Sequence, residues 1–251
     1  MLTDAHAHPF DVFTASGTEP ALGLGASLCA NAHEPLEFAW NEGFAERSRD
    51  SLRVVQSFGV HPQNPDQDAV PFLESLARQG RIGAVGEAGY DLFTEAYRSD
   101  LERQRLAWSA QLRIAREWGL PLVVHCRKAL DLVFADSRTL SALHSVIIHG
   151  WPGSPAEAKA FLKRGVNAWF SAGKGLMRGD RSLIATVESL PRERILAETD
   201  APWMTLRGER YTALGDIAAV HARIAALWRG EPEETEGIIG ENFNRAYGIR
   251  R

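Results

Sequence analysis

Cysteine is scarce in this 251-residue chain, which contains only Cys29 and Cys126. Both lie in strand-like apolar stretches, so we expect two buried thiols rather than a disulfide. Long apolar runs are also missing: none approaches the roughly 20 residues of a membrane-spanning helix, and the chain does not open with a basic segment followed by an apolar one. These absences predict a cytoplasmic protein with no membrane partner and no obligate protein partner.

The chain also lacks an excess of positive charge, since 28 Lys and Arg residues face 32 Asp and Glu residues and the net charge is −4. That balance argues against a protein that grips long nucleic acid over a wide basic surface, because such binding depends on neutralising many phosphates. It leaves room for an enzyme that takes one phosphate, or the end of a strand, into a metal-lined pocket, because the metal brings its own positive charge.

No low-complexity stretch or Pro/Gly/Ser linker divides the sequence, and 45% of its residues are hydrophobic. We therefore expect one large core, with residues 1–251 forming a single domain. A Gly-rich dinucleotide-binding turn is missing after the first strand, where His8-Pro9-Phe10 stands instead, and this disfavours an open doubly wound sheet.

Apolar runs typical of strands recur eight times, and most are followed by an amphipathic segment. Parallel strands need crossover helices, and eight tilted strands can close around a filled interior. The alternation predicts an α/β fold, a (β/α)8 TIM-type barrel. The predicted strands lie near residues 2–8, 24–30, 52–60, 82–87, 121–126, 145–149, 166–171 and 194–199.

Helical periodicity is clearest over residues 98–118, and Gly119-Leu120-Pro121 is expected to end that helix. Ser154-Pro155-Ala156-Glu157 has the pattern of an N-cap, a first-turn proline and a capping-box glutamate, which predicts a helix that runs to Gly165. Residues 211–228 and 231–247 are predicted to be the helices that close the barrel.

Potential metal ligands stand at the ends of the predicted strands. His6 and His8 are two residues apart in the first strand, so both imidazoles project to the same side. In a parallel barrel the carboxyl ends of the strands build the site, so further ligands from other strands should join them. These further candidates are Glu87, His125, His149 and Asp200.

Imidazoles and carboxylates together suit Zn, Mn, Fe or Mg in a hydrolytic site better than a structural zinc knot. Six ligands exceed the three or four that one catalytic zinc takes, so two divalent metal ions are the simpler interpretation. Glu87, which has glycines close by on either side, is the candidate bridge because a carboxylate has two oxygens. A water molecule shared by two cations is acidified and becomes a nucleophile at neutral pH, which indicates a metal-dependent hydrolase.

The order and spacing of these motifs resemble the TatD family of metal-dependent deoxyribonucleases, within the amidohydrolase-like superfamily, over nearly the whole length. The motifs that carry the resemblance are Thr3-Asp4-Ala5-His6-Ala7-His8, Phe58-Gly59-Val60-His61-Pro62, Val85-Gly86-Glu87-Ala88-Gly89-Tyr90-Asp91, Leu120-Pro121-Leu122-Val123-Val124-His125-Cys126-Arg127, His149-Gly150-Trp151, Glu198-Thr199-Asp200-Ala201-Pro202 and Glu241-Asn242-Phe243-Asn244-Arg245.

The resemblance implies that His6, His8, Glu87 and Asp200 hold one metal, and that Glu87, His125 and His149 hold the other. It also implies that Asp200 handles the proton of the nucleophilic water, and that His61 and Arg127 lie near the substrate phosphate. Arg127 follows His125 by two residues and so shares its side of an extended strand; a structural ion pair is the alternative for this guanidinium.

The remaining candidates are expected to support the ligands or to have structural roles. Glu198 shares a face with Asp200 and is expected to orient a ligand histidine, while Asp4 is expected to form buried hydrogen bonds behind the ligands. Trp151 and Trp203 either line the pocket and stack on a base or belong to the core. His33, His144 and His221 are expected to be surface or hydrogen-bonded core residues.

The positions that depart from the family pattern lie around the mouth of the barrel. The sequence therefore defines the type of reaction better than it defines the substrate. The first hypothesis is a phosphodiesterase, a deoxyribonuclease of exonuclease type, in which water activated by two metals attacks phosphorus in DNA. The second is an amidohydrolase-like enzyme that uses the same metal core on a carboxylic ester, lactone, amide or aminoacyl-tRNA bond. The third is a metal-binding barrel without catalysis.

Overall fold

The computed structural model describes residues 1–249 and shows eight parallel strands in the order β1 to β8. The prediction of a (β/α)8 barrel is therefore confirmed. The last two residues of the predicted 1–251 domain lie outside the described part. The strands are β1 (Thr3–Ala7), β2 (Ala26–Ala32), β3 (Leu52–Phe58), β4 (Ala84–Asp91), β5 (Leu122–Arg127), β6 (Val146–Ile148), β7 (Ala168–Ala172) and β8 (Ile195–Ala197).

Helices connect the strands and surround them, as crossover connections between parallel strands require. No helix within residues 1–249 is both long and apolar enough to cross a membrane. The helices are α1 (Pro9–Ser16), α2 (Pro35–Ser48), α3 (Val70–Arg78), α4 (Glu95–Ser99), α5 (Leu101–Trp118), α6 (Leu130–Ala135), α7 (Ser137–Leu140), α8 (Pro155–Lys163), α9 (Arg181–Ser189), α10 (Ile217–Trp228) and α11 (Pro232–Ala246).

The barrel interior is a packed core, because each strand contributes one inward side chain to a buried cluster. α11 lies beneath this cluster, where the Tyr247 hydroxyl donates a hydrogen bond to the Ala5 carbonyl (2.6 Å). The site can therefore form only at the opposite end, above the core. The eight strand residues of the cluster are Ala5, Cys29, Val55, Ala84, Val123, Ile147, Trp169 and Leu196.

The seam between β1 and β8 is closed by backbone hydrogen bonds beyond the end of β8. The amide of Asp200 donates to the carbonyl of His6 (2.9 Å), and the amide of His8 donates to the carbonyl of Ala201 (2.8 Å). Buried Asp4 strengthens the seam, since its carboxylate accepts from the hydroxyl (2.6 Å) and the amide (3.0 Å) of Thr199. These bonds bring the first and last candidate ligands together.

Several predicted boundaries were wrong, each for a local reason. The helix predicted over 98–118 is two helices, because Thr94 caps α4 and the chain turns at Asp100 before α5. α5 ends at Gly119, which takes the left-handed conformation (φ 64°) as expected. The helix predicted to start at residue 211 starts at Ile217, because residues 211–213 belong to a rim loop. α8 has the predicted capping box but ends two residues before Gly165.

Candidate metal centre

Buried Glu87 lies at the centre of a cluster of imidazoles above the barrel core. Its Oε1 atom is 3.4 Å from Nε2 of His6, 3.2 Å from Nε2 of His8 and 3.1 Å from Nε2 of His33. Asp200 joins this side, with Oδ1 3.5 Å from Nε2 of both His6 and His8. Three imidazoles and two carboxylates thus converge on one side of the cluster.

The other carboxylate oxygen of Glu87 faces a second group. Oε2 lies 2.8 Å from Nε2 of His149, 3.2 Å from Nδ1 of His125 and 3.7 Å from Nε2 of His61. His125 and His149 follow Val123 and Ile147 by two residues, so strand alternation points their side chains to the barrel axis. Glu87 therefore has one oxygen toward each group, as the predicted bridging role requires.

Glycines allow β4 and β5 to approach closely at this point. A Cβ atom on Gly89 would lie 2.0 Å from the carbonyl oxygen of His125, and one on Gly86 would lie 2.5 Å from that of Val123. Both glycines have positive φ values (148° and 145° for Gly86 and Gly89), which L side chains rarely adopt. The close approach brings His125 to Glu87.

Asp91 orients His125 and was not among the sequence candidates. Its Oδ2 atom lies 3.2 Å from Nε2 of His125 and accepts a hydrogen bond from the Gln63 side chain (2.8 Å). Burial alone would raise the pKa of Asp91, but the hydrogen bonds from His125 and Gln63 lower it to about 2. A carboxylate on Nε2 leaves Nδ1 of His125 free to bind a metal, which is the usual arrangement for a ligand imidazole. The sequence signal that could have identified Asp91 was its position in β4, four residues after Glu87.

Glu198 and Asp4 lie behind the candidate ligands, but neither forms a hydrogen bond to an imidazole of these residues. Oε1 of Glu198 is 3.9 Å from Nδ1 of His149, and it accepts instead from the amide of Gly150 (2.6 Å). Asp4 accepts from the amide of His6 (3.2 Å) as well as from Thr199. Burial raises the pKa of Glu198 to about 8 and that of Asp4 to about 7.

The prediction for His33 was wrong, because this residue lines the candidate site. The predicted second strand ended at residue 30, whereas β2 continues to Ala32 and places His33 at its carboxyl end. His33 follows Cys29 and Asn31 with the same alternation, so its ring points inward. His144 is exposed and His221 is buried on the Thr3 carbonyl (2.9 Å), as expected for both.

Burial and charge act in opposite directions within the cluster. Burial alone would raise the pKa of Glu87, but the surrounding imidazoles hold it well below its usual range. Burial alone would lower the pKa of His8 and His125, but nearby carboxylates raise each to about 9. Burial dominates for His61, whose pKa falls to about 3. Burial alone would likewise raise the pKa of Asp200, but hydrogen bonds from His6 and His8 hold it below its usual range.

The donor set fits divalent metal ions. Both ring nitrogens of fully buried His6 lack a hydrogen-bond partner, although Nε2 faces carboxylate oxygens of Glu87 and Asp200 at 3.4 and 3.5 Å. Two ligand atoms about 2.1 Å from one ion at a tetrahedral angle lie about 3.4 Å apart. Among residues 1–249, four groups have three ligand atoms within 4.8 Å of one another: His6–His8–Glu87, His6–His149–Asp200, His33–His61–Glu87 and Glu87–His125–His149.

The centre opens into a cavity of about 340 Å³, and Arg127 and Trp203 line its mouth. Arg127 lies with its guanidinium 3.6 Å from the ring centre of Phe93. Trp203 is 56% exposed, whereas Trp151 is buried and packs edge-on against Phe170. Of the two tryptophans considered for the pocket, only Trp203 reaches it.

Comparisons with known proteins identify one family along nearly the whole chain. The family model described as "TatD related DNase" matches residues 3–248. A Mycobacterium tuberculosis protein named "Uncharacterized metal-dependent hydrolase TatD" is 31% identical and aligns over 99% of this chain and 98% of its own. A Citrobacter koseri "3'-5' ssDNA/RNA exonuclease TatD" is 31% identical over 76% of each chain. The crystal structure of YJJV, a TatD homologue from Escherichia coli k12, superposes with a TM-score of 0.83 over 99% of this chain and 98% of its own, at 23% identity.

Proposed function

Because the chain belongs to the TatD-related DNase family and is a metal-dependent hydrolase of nuclease type, we propose that it removes nucleotides from the ends of nucleic acid strands. The observation that carries the proposal is Glu87, whose two oxygens face two separate imidazole groups. We further propose that residues 1–251 act as one domain, and that the enzyme is cytoplasmic, where its free Cys29 and Cys126 stay reduced.

We assign two divalent ions, Zn, Mg, Mn or Fe, to the two sides of Glu87. His6, His8 and Asp200 would hold the first with Oε1, and His125 and His149 would hold the second with Oε2. Such ions acidify water and neutralise the charge of the attacked phosphate when they are bound. Glu87 fixes the positions of the two imidazole groups relative to each other, because its one buried carboxylate contacts both.

Asp200 is the proposed proton acceptor. Its Oδ1 atom faces His6 and His8 at 3.5 Å, which leaves Oδ2 to take the proton of the attacking water. Its backbone is fixed by the hydrogen bond to the His6 carbonyl, so the carboxylate is held at the seam of the barrel.

His61 and Arg127 are the proposed contacts to the phosphate. The amide of Gln63 donates to Nδ1 of His61 (3.2 Å), which assigns the proton of the neutral ring to Nε2, an atom 3.3 Å from Nδ1 of His125. When His125 holds a metal through Nδ1, Nε2–H of His61 would be available to donate to a phosphate oxygen, and the Arg127 guanidinium offers two N–H donors to the same phosphate. Two donors at the mouth favour a phosphodiester over a carbonyl substrate, which needs no cationic side chain.

The test is cleavage of end-labelled single-stranded DNA by metal-stripped protein resupplied with Mg²⁺, Mn²⁺ or Zn²⁺. We expect metal-dependent shortening by the wild type, and a loss of orders of magnitude in Glu87→Gln. Glu188→Gln, on the exposed face of α9, is the matched control and should behave as wild type. If wild-type protein with bound metal leaves DNA intact but hydrolyses esters, lactones or aminoacyl-tRNA, the phosphodiesterase assignment is wrong. If Glu87→Gln fails to fold, the carboxylate is structural.

A further inference from the structure

Two exposed aromatic side chains flank the mouth of the metal centre. Trp203 is 56% exposed and Phe93 is 44% exposed. Other exposed aromatics have a different explanation, since Phe13 stacks on Trp40 and Trp118 is the last residue of an outer helix. Trp203 lines the cavity itself, and Phe93 lies under the guanidinium of Arg127, which also lines it.

The backbones of Phe93 and Trp203, the two aromatic platforms, are hydrogen-bonded to residues of the metal centre. The amide of Phe93 donates to Oδ1 of Asp91 (2.8 Å), whose other oxygen contacts His125. The amide of Trp203 donates to the carbonyl of Asp200 (2.7 Å). The backbones of both residues are therefore held at fixed positions relative to the candidate ligands.

The loop that carries Trp203 is also anchored at its far end. Buried Lys174 contacts Oε2 of Glu209 (2.6 Å) and Oδ2 of Asp216 (2.7 Å), and the amide of Thr212 donates to the carbonyl of Pro202 (2.9 Å). An exposed indole on an anchored loop loses little further conformational freedom when a flat ligand stacks on it.

The Phe93 platform combines an aromatic ring with two cations. The Arg127 guanidinium lies 3.6 Å from the centre of the ring, and Nζ of Lys128 lies 4.9 Å from it. A guanidinium held flat against a ring presents a second flat surface on its outer face, while its edge can still reach a phosphate. Stacking surfaces beside cationic groups are the arrangement by which proteins bind unpaired bases.

We propose that Trp203 and the Phe93–Arg127 pair are specificity-determining residues that stack on bases to either side of the reacting phosphate. This inference rests on the proposed function and extends it, because it names the recognised feature of the substrate as an unpaired base. A duplex end can enter only after its terminal bases separate. A substrate without bases loses these contacts while keeping its contacts to the metals.

The experiment compares two single-stranded DNA substrates that differ only in whether the terminal and penultimate units carry a base or are abasic. For the wild type, kcat/KM should fall by roughly 5- to 150-fold for each base that is removed, mainly through KM. Trp203→Ala and Phe93→Ala should each show a loss within this range on the strand with bases, and little further loss on the abasic strand. Trp118→Ala is the matched control and should leave both rates unchanged.

Binding of the same labelled strands to Glu87→Gln protein, followed by fluorescence anisotropy, separates this inference from the proposed function. Weaker binding after Trp203→Ala in that background, for the strand with bases only, supports the platforms even where cleavage is absent. An equal loss on both strands overturns the inference, as does binding that neither aromatic substitution changes. Metal-dependent cleavage by the wild type together with either of these results leaves the proposed function standing.

Discussion

Substituting Gly89 by alanine should damage both the fold and the metal centre. The added Cβ atom would lie 2.0 Å from the carbonyl oxygen of His125, the residue paired with Gly89 across β4 and β5. An ordinary contact needs at least about 3.4 Å, so the strands must separate by more than about 1 Å. His125 would then leave the position 3.2 Å from Glu87.

The expected cost comes from two sources. An L residue held at φ 145° is strained by about 1–3 kcal/mol, and forcing a methyl group into a packed site costs about 1–3 kcal/mol more. A total of about 2–6 kcal/mol lowers the melting temperature of a chain of this size by roughly 4–24 °C. Because metal ligands tolerate displacements of only about 0.2 Å, affinity for the metal on the His125 side should fall as well.

Thermal melting and titration against a competing chelator measure the two effects. Gly237→Ala is the matched control: Gly237 lies on the exposed face of α11 with no atom near its missing Cβ. There the same methyl group should raise the stability by about 0.5–1 kcal/mol, because alanine favours the helix. The reasoning fails if Gly89→Ala melts at the wild-type temperature and binds metal with unchanged affinity.

Two further predictions concern charge. Burial lowers the pKa of His221, whose Nε2 atom contacts Thr3, so below about pH 6.5 the unfolded chain binds a proton that the folded chain does not. Stability is therefore lost as the pH falls. Between pH 6.5 and 5.5, His221→Gln should lose up to about 1 kcal/mol less stability than the wild type in denaturant titrations, and equal losses would contradict this. Asp91→Asn should weaken metal binding by about 10- to 100-fold, because a neutral amide supports His125 less well. Chelator competition measures it against surface Asp131→Asn, and equal affinities in the two variants would rule out the orienting role.

The alternation of apolar runs and amphipathic segments was sufficient to predict the barrel, because eight parallel strands with helical crossovers have few alternative packings. The candidate ligands followed from position alone: side chains at the carboxyl ends of parallel strands meet at one face. His6, His8, Glu87, His125, His149 and Asp200 do converge there.

Two residues of the candidate site, His33 and Asp91, were missed because the ends of their strands could not be predicted from the sequence. The last two residues of β2 belong to the strand because they pair with β3: Asn31 pairs with Ser57, and Ala32 pairs with Phe58. That pairing is a tertiary effect, and ending the strand two residues early removed His33 from the site. Asp91 was missed similarly, since β4 continues past Glu87 by pairing with β5. Burial of Trp151 depends on packing between α8 and β7, which periodicity does not reveal.

The seam of the barrel also determines when the enzyme can become active during its synthesis. His6 and His8 leave the ribosome well before Asp200, which follows them by about 190 residues along the chain. The hydrogen bonds from Asp200 to His6 and from Thr199 to Asp4 join these two ends of the chain. A nascent chain that stops short of β8 therefore lacks both the closed barrel and the proposed proton acceptor. The candidate site is thus complete only after β8 has been translated and has joined β1.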